Sequence, residues 1–418
     1  MKRHVLVLNQ HGENRGDEAA MRAMLVSLDE ALGGASFTIL YQYRDRSLRM
    51  ELPQDVQMLP IIMPVSEAAR LTLFGLGTLV SARLGQPVLG RLGKAITDAY
   101  ERADLVLSAP GGPYFGDIYA NHELVHWFFV WLAKRYRKPL MLYSPSAGPF
   151  ANPVLNQVRR RLYRAFDVVC AREPISARMI EGLVGQGLTV HVTADSALQV
   201  RMPPMGRAQY FGSSRSHLAA RFIVCTSVID YAFPGDDDPK GLKSVYERAL
   251  IDLMTHLSKR RDCHFLFLPQ LHGSVHTDVP YLRHIAQRLP SGLSWEIVDD
   301  HLDSDTQRGI FGMADTFIAS RYHPAIFGSS AGVPGLCFYY EHKALGFMTQ
   351  LGMERFAFDI RKLDSRALCE AMDEILENGA ALAREIELRL PALVAQARRS
   401  TELAVALVES GGASALSQ

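Results

Sequence analysis

Short apolar segments of strand length alternate along this chain with longer segments of helical periodicity. In the first half the apolar segments cover residues 4–8, 37–41, 105–109, 140–143, 168–171 and 189–192. They are nearly continuous in Val, Leu and Ile, which is typical of parallel strands that helices cover on both faces. The alternation therefore predicts an α/β fold with a doubly wound parallel sheet.

The alternation stops after residue 198 and resumes near residue 221. Residues 203–206 and 212–216 are rich in Pro, Gly and Ser and predict a linker. The second series predicts strands at 221–226, 264–268, 295–298, 316–319 and 336–339, and a helix at 240–260. Apolar residues three and four apart predict a helix over 365–409. We therefore predict two Rossmann-like domains, 1–202 and 217–364, followed by C-terminal helices over 365–418, which suits a length of 418 residues.

Composition and charge exclude several classes of protein. Hydrophobic residues make up 48% of the chain and charged residues 21%, which is typical of globular domains. The net charge of +1 gives no general basis for binding nucleic acid, so any anion site must be local. Five widely spaced cysteines without a Cys-x-x-Cys pair indicate buried thiols. His272 and His276 are four apart but have no obvious third ligand, so we expect no metal.

The chain has no segment that predicts secretion or a membrane span. The N-terminal apolar segment is too short for a signal peptide, so we expect a cytoplasmic protein. The most apolar region, residues 71–92, is interrupted by Arg83, Pro87 and Arg91 and is too short to cross a bilayer. It is either a packed helix or a peripheral contact with the inner face of the membrane.

The turns that follow the strands are the expected ligand sites, because ligands bind at the carboxyl ends of strands in such sheets. The first turn, residues 9–20, contains Asn14, Gly16 and Asp17. It lacks Gly-x-Gly-x-x-Gly and its acids would repel a pyrophosphate, which excludes a dinucleotide site but leaves a plain capped turn open. The turn after residues 105–109 contains Gly111 and Gly112, which allow a ligand to approach the backbone closely.

Two arginines also end predicted strands. Arg172 follows the strand at 168–171 and is either an ion-pair partner of an acid such as Glu173 or a ligand for an anion. The sequence of this turn leaves both possibilities open.

The stretch SRYHPAIFGSSAGVP begins where the strand at 316–319 ends. If the extended geometry continues, Arg321 and His323 project to the same side, and Pro324 begins a helix over 325–331. A guanidinium, an imidazole and a helix N-terminus together suit a small, multiply charged anion. Lys343 can add a further positive charge. The structural alternative is a buried histidine beside a salt bridge from Arg321 to Asp315.

Four stretches in these regions resemble successive motifs of one family. They are NRGDEAAMRAML, CAREPIS followed by ADSAL, SRYHPAIFGSSAGVP, and YYEHKALGFMTQLGM. In this order, from about residue 4 to about residue 365, they are similar to the polysaccharide pyruvyl transferase family, and most of all to its enterobacterial branch of colanic-acid and related exopolysaccharide synthesis. The resemblance implies a two-lobed fold of the GT-B type. It also implies transfer of a pyruvyl group from phosphoenolpyruvate onto two hydroxyls of a sugar, forming a cyclic ketal.

The resemblance also implies roles for individual residues. The family's Arg-x-His falls on Arg321 and His323 and its strand-end arginine on Arg172, and these are expected to bind phosphoenolpyruvate. His323 is the candidate proton donor. The catalytic and substrate-binding residues expected in full are His323, Arg321, Asp17, Arg172, Lys343, Asn14, Gly16, Gly111, Gly112 and Glu341.

The base that activates the hydroxyls is less well defined by the resemblance. Asp17 is the leading candidate and Glu341 the second. The chain departs from the family at Pro113, where a third glycine is common, and at Tyr322. No cofactor is expected beyond phosphoenolpyruvate as the donor, and the acceptor is a sugar or a lipid-linked oligosaccharide. The alternatives are a GT-B glycosyltransferase that uses a nucleotide sugar and a non-catalytic scaffold that contacts a membrane complex through residues 71–92.

Overall fold

A computed structural model of the protein describes residues 2–12, 14–42, 55–77, 89–112, 115–272 and 277–411, without the side chains of residues 119–122. The chain divides into two compact units. Unit 1 comprises Met1–Gly12, Ala20–Gln199 and Ala395–Gln418, and unit 2 comprises Glu13–Ala19 and Val200–Val394. The segment 13–19 therefore belongs to unit 2 although the residues on both sides of it belong to unit 1.

Unit 1 is built on a seven-stranded parallel sheet with the order β3-β2-β1-β4-β5-β6-β7. Its central strands are completely buried because helices cover both faces, as their continuous apolar sequence predicts. The strands are β1 Arg3–His11, β2 Ala35–Gln42, β3 Val56–Pro60, β4 Leu105–Ser108, β5 Leu140–Leu142, β6 Val168–Ala171 and β7 Val190–Val192. The helices are α1 Arg15–Ala31, whose first turn groups with unit 2, α2 Val65–Gly77, α3 Arg91–Arg102, α4 Ala120–Arg135, α5 Pro153–Tyr163 and α6 Pro174–Val184.

Unit 2 is built on a six-stranded parallel sheet with the order β10-β9-β8-β11-β12-β13. The strands are β8 Phe222–Ser227, β9 Cys263–Phe267, β10 Ser294–Ile297, β11 Thr316–Ala319, β12 Gly335–Tyr339 and β13 Ala357–Asp359. The helices are α7 Arg207–Phe211, α8 Ser216–Ala219, α9 Pro239–Arg260, α10 Val279–Gln287, α11 Ser304–Gly312, α12 Tyr322–Ser330, α13 His342–Gln350 and α14 Ser365–Glu409.

Every strand predicted from the apolar pattern is present, so the prediction of two doubly wound α/β units is confirmed. The pattern misses β3 and β13, which lie at the edges of the two sheets. Both are short and only partly buried, and edge strands need no continuous apolar sequence because only one neighbour covers them.

The predicted C-terminal helix is confirmed as α14, which runs from Ser365 to Glu409 with Pro391 inside it. Its residues up to 394 group with unit 2 and the rest with unit 1. In unit 1 the buried side chains of Ser400 and Thr401 hydrogen-bond to Ser144 at 2.6 Å and to Tyr143 at 2.6 Å, just after β5. The end of the helix is thereby fixed to the sheet of unit 1.

The segment 71–92, predicted to be either a packed helix or a membrane contact, is only partly described. Helix α2 ends at Gly77, α3 begins at Arg91, and residues 78–88 lie outside the described residues. Within the described residues, no helix combines the length and the apolar content needed to cross a bilayer. A peripheral contact with a membrane stays a prediction.

Candidate active site

In the sheet of unit 2 the strand order reverses between β8 and β11, which is where ligands bind in doubly wound sheets. Arg321 and His323 follow β11 directly. Helix α12 begins at Tyr322, with Arg321 in extended conformation (φ −116°, ψ 147°) as its N-cap. His323 therefore lies in the first helical turn, and the predicted extended geometry beyond Arg321 is wrong. Pro324 does not begin the helix but fits its first turn, where a missing N–H costs no hydrogen bond.

The guanidinium of Arg321 is held by a carboxylate that the sequence did not point to. Its Nη2 donates to Oδ1 of Asp278 at 2.5 Å, and the two side chains are 12% and 5% exposed. Burial opposes the charged form, but the nearby carboxylate outweighs it and the pKa of Arg321 lies above its ordinary value. The Nε of Arg321 is buried without a hydrogen-bond partner among the described residues. Such a donor is costly to leave unsatisfied, which favours a ligand or water beside it.

The predicted alternative, a salt bridge from Arg321 to Asp315, is wrong. Asp315 pairs with Arg207 at 2.8 Å and accepts a hydrogen bond from the backbone N–H of Ile223 at 2.7 Å. It thus ties together the amino-terminal ends of strands, away from the carboxyl edge that carries Arg321.

His323 is 6% exposed and is packed among rings and backbone. The ring of Tyr322 meets it edge-on at a centroid distance of 4.9 Å, and the ring of Phe327 lies at 6.3 Å. Gly16 also contacts it, because a Cβ built on Gly16 would lie 1.8 Å from Nδ1 of His323. A residue with a side chain at position 16 would displace the imidazole.

The predicted Asn14–Asp17 turn is therefore next to His323 within unit 2. Asn14 caps α1, since its Oδ1 accepts from the backbone N–H of Gly16 at 2.8 Å. The backbone N–H of Arg15 donates to the carbonyl of Gln270 at 3.0 Å, which attaches the turn to the loop after β9. Asp17 is half-buried in the first turn of α1. Its role as a base stays a prediction.

Two further predicted residues, Glu341 and Lys343, contact each other. Glu341 is the N-cap residue of α13, and its Oε2 lies 2.6 Å from Nζ of Lys343. Both side chains are largely buried, and Nζ lies 5.9 Å from the centroid of the Tyr340 ring. The positive charge predicted at Lys343 is therefore balanced by the carboxylate of Glu341.

The sequence did not predict the residues that hold Arg321 in place after β11. Asp278 holds Arg321, and Ser320 lies between β11 and Arg321 with its Oγ 2.7 Å from the hydroxyl of Tyr246. The same Oγ accepts from the backbone N–H of Ile229 at 2.8 Å, which joins the ends of β8 and β11. Ser320 could have been noticed as a buried polar residue directly before Arg321, whereas Asp278 carries no local signal beyond its place before a helix.

Arg172 lies in unit 1, at the end of β6. Its Nη1 donates to Oδ2 of Asp195 at 2.8 Å and its Nε to Oγ of Ser146 at 2.7 Å. The side chains of Arg172 and Asp195 are each 1% exposed. Glu173, the predicted alternative partner, instead caps α6 by accepting from the backbone N–H groups of Ile175 and Ser176. Asp195 is therefore the partner that the sequence did not reveal, and a role of Arg172 in anion binding stays a prediction.

The two predicted glycines of unit 1 differ in their surroundings. Gly111 has a φ of +145°, which side chains rarely adopt, and its carbonyl accepts from the backbone N–H of Ser146 at 3.2 Å. Gly112 faces open space, since an added Cβ would meet nothing within 4 Å. Pro113, where the chain departs from the family pattern, lies outside the described residues.

The histidine pair considered for a metal is only half described, because His276 lies outside the described residues. Nε2 of His272 donates to the carbonyl of Pro269 at 3.0 Å, and burial lowers the pKa of His272 to about 4. His272 is therefore a neutral, buried hydrogen-bond donor. Across the parts of the chain that the structure describes, no three His, Cys, Asp or Glu side chains cluster as metal ligands would.

Comparisons with known proteins agree on both sequence and fold. A sequence model of the polysaccharide pyruvyl transferase family matches residues 14–342. The amylovoran biosynthesis protein AmsJ of Erwinia amylovora is 26% identical over 413 residues, covering 94% of this chain and 96% of AmsJ.

Two solved structures are similar over nearly their whole length. Anabaena HepE in complex with UDP and glucose has a TM-score of 0.59 at 15% identity, covering 98% of this chain and 100% of HepE. A Listeria monocytogenes protein assigned as a UDP-N-acetylglucosamine 2-epimerase has a TM-score of 0.62 at 13% identity, covering 98% and 96%. At such identities the similarity establishes the fold alone, and it confirms the predicted GT-B-like class.

Proposed function

The chain belongs to the polysaccharide pyruvyl transferase family, and on that premise we propose that it moves a pyruvyl group from phosphoenolpyruvate onto two hydroxyls of a sugar in exopolysaccharide biosynthesis. The product is a cyclic ketal. Similarity to an amylovoran biosynthesis protein over nearly the whole chain supports the biosynthetic context. A lipid-linked oligosaccharide as acceptor, and a peripheral membrane contact through residues 71–92, are part of the same proposal.

One observation carries the donor assignment. Arg321, His323 and the N-terminus of α12 lie together at the switch point of the unit 2 sheet, and the Nε of Arg321 is a buried donor without a partner among the described residues. Phosphoenolpyruvate brings a carboxylate and a phosphate, which suit a guanidinium and the backbone N–H groups of a helix start. Arg172 is also proposed to bind the donor, as the family resemblance of its strand-end position implies.

The proposed reaction uses the residues as follows. His323 donates a proton to the methylene carbon of the donor, which leaves an oxocarbenium-like centre at the neighbouring carbon. A sugar hydroxyl attacks that carbon and gives its proton to a base, for which Asp17 is the first candidate and Glu341 the second. Phosphate then leaves, and the second hydroxyl closes the ring as its proton passes to the departing phosphate. Arg321 stabilises the anion throughout, since its charge is fixed before the substrate arrives.

Ligand binding separates this proposal from its main alternative. Thermal unfolding is measured with phosphoenolpyruvate and, separately, with UDP- and GDP-sugars, because a ligand that binds the native state raises Tm. A rise with phosphoenolpyruvate alone is expected. A rise with a nucleotide sugar alone would overturn the donor assignment in favour of a glycosyltransferase.

Product formation separates the proposal from a scaffold role. Phosphate release and the ketal content of the polymer are compared for wild type, Arg321→Ala and His323→Ala. Arg366→Ala is the matched control, because the side chain of Arg366 is 86% exposed and pairs with Glu370 along its own helix. We expect ketal to be lost in Arg321→Ala and His323→Ala but not in Arg366→Ala. Unchanged ketal content in both Arg321→Ala and His323→Ala would contradict the enzyme assignment.

A further inference from the structure

Asp278 stands where an aspartate ordinarily caps a helix, but it does not do so. It is the N-cap residue of α10, which begins Val279-Pro280, yet its side chain accepts no hydrogen bond from that helix. Other helices of unit 2 use aspartate in the usual way: Asp238 accepts from the backbone N–H of Gly241 at 2.9 Å. The carboxylate of Asp278 is only 5% exposed and is directed to other groups.

Each oxygen of this carboxylate has a separate task. Oδ1 accepts from Nη2 of Arg321 at 2.5 Å. Oδ2 accepts from the backbone N–H groups of Gln270 at 2.9 Å and Leu271 at 3.0 Å. Asp278 therefore joins the guanidinium at the end of β11 to the loop that follows β9.

The same loop supports the turn beside His323. Leu271 forms an isolated antiparallel bridge with Asn14, and the carbonyl of Gln270 accepts from the backbone N–H of Arg15. That turn presses Gly16 against the imidazole. The orientation of Arg321 and the contact of Gly16 with His323 thus depend on one loop. Asp278 holds this loop through two backbone hydrogen bonds.

We propose that Asp278 is a positioning residue for the donor site, one that fixes the guanidinium of Arg321 and the loop behind His323 in a single arrangement. The inference rests on the proposed function. A guanidinium held along one edge keeps its remaining N–H groups in place for a ligand, so less conformational freedom is lost when an anion binds.

The sign of the effect distinguishes positioning from simple electrostatics. Asp278 carries a negative charge next to a site proposed to bind an anion. If charge alone mattered, Asp278→Asn would remove a repulsion and phosphoenolpyruvate would bind more tightly. Positioning predicts the opposite. An asparagine cannot accept from Arg321 on one side and from two backbone N–H groups on the other, because one of its two sides is an NH₂ donor.

The experiment compares wild type, Asp278→Asn and the capping control Asp238→Asn as full-length proteins well below their Tm. We expect Asp278→Asn to raise the Kd and KM for phosphoenolpyruvate by about tenfold or more, the equivalent of one lost charged hydrogen bond. Asp238→Asn should leave both unchanged. A Kd that is unchanged or lower in folded Asp278→Asn would overturn positioning, and a lower Tm alone would mean a purely structural role.

A second readout does not depend on the substrate. Arg321 is labelled with phenylglyoxal and the modified peptide is quantified by mass spectrometry. Freed from its carboxylate, Arg321 should react several times faster in Asp278→Asn than in wild type, and equal rates would contradict the inference. If wild type binds no phosphoenolpyruvate, the proposed function fails while the labelling rates still decide whether Asp278 positions Arg321.

Discussion

Replacement of Gly16 by alanine tests whether the start of α1 backs the imidazole of His323. The added Cβ would lie 1.8 Å from Nδ1 and 2.0 Å from Cγ of the ring, against ordinary contacts of 3.4 Å or more. The ring and the turn must therefore separate by about 1.6 Å. His323 and Gly16 are both buried, so neither can move freely. A misplacement of about 1 Å costs roughly a hundredfold in rate, and overpacking costs about 1–3 kcal/mol.

We accordingly expect Gly16→Ala to lower kcat/KM for phosphoenolpyruvate-dependent turnover by about a hundredfold. The free energy of unfolding, from denaturant titration, should fall by about 1–3 kcal/mol. Gly379→Ala is the matched control in unit 2, because an added Cβ there meets nothing within 4 Å inside α14. It should be neutral or stabilising by up to about 1 kcal/mol.

A double variant separates the clash from any other effect of alanine at position 16. Adding His323→Ala to Gly16→Ala removes the ring that the Cβ would strike, so the second substitution should restore part of the lost stability. Wild-type stability and turnover in Gly16→Ala would refute the contact between the turn and the ring. Additive losses in the double variant would refute the clash as the cause.

The remaining predictions concern single ionisable groups. Arg321→Lys should lower kcat/KM by about tenfold or more, since a point charge cannot replace a fork, while the exposed control Arg366→Lys should keep wild-type kinetics. Arg172→Ala should reduce the free energy of unfolding in denaturant by about 3–5 kcal/mol, because it leaves Asp195 buried and unpaired; a loss below about 1 kcal/mol would contradict this. His272 has a pKa of about 4 in the folded state, below its unfolded value near 6.5, so the unfolded state binds more protons between these pH values. As the pH is lowered through this range, the free energy of unfolding should therefore fall by roughly 3 kcal/mol in total. His272→Gln should flatten that part of the stability profile, and an unchanged profile would contradict the assignment.

The strands of both units could be predicted because each central strand is covered on both faces. Continuous apolar segments have few other uses in a globular chain, and the segment 168–171 coincides with β6 to the residue. The helix α14 was equally clear from its periodicity. The grouping of residues 13–19 with unit 2 could not be foreseen, because sequence neighbours share a unit by default and only tertiary contacts reveal the exception.

The partners of the two strand-end arginines were not predictable, and for a common reason. The nearby acids in the sequence, Glu173 and Asp315, are used for a helix cap and for the opposite end of the strands. The actual partners are separated from their arginines by 23 and 43 residues. Asp195 follows β7, the neighbour of β6, whereas Asp278 follows β9, which β8 separates from β11. Parallel topology brings distant turns to one edge, so the partner depends on strand order, which the apolar pattern does not contain.

The difference between these two ion pairs ranks the arginines as anion ligands. Arg172 is 1% exposed and uses two of its nitrogens on Asp195 and Ser146, so an anion would have to enter a sealed site. Arg321 is 12% exposed, and its Nε has no hydrogen-bond partner among the described residues. A fixed charge that stays partly accessible to solvent is what a preformed anion site requires, whereas a charge sealed between buried partners serves the fold. Of the two proposed ligands for the donor anion, Arg321 of unit 2 is therefore the better supported.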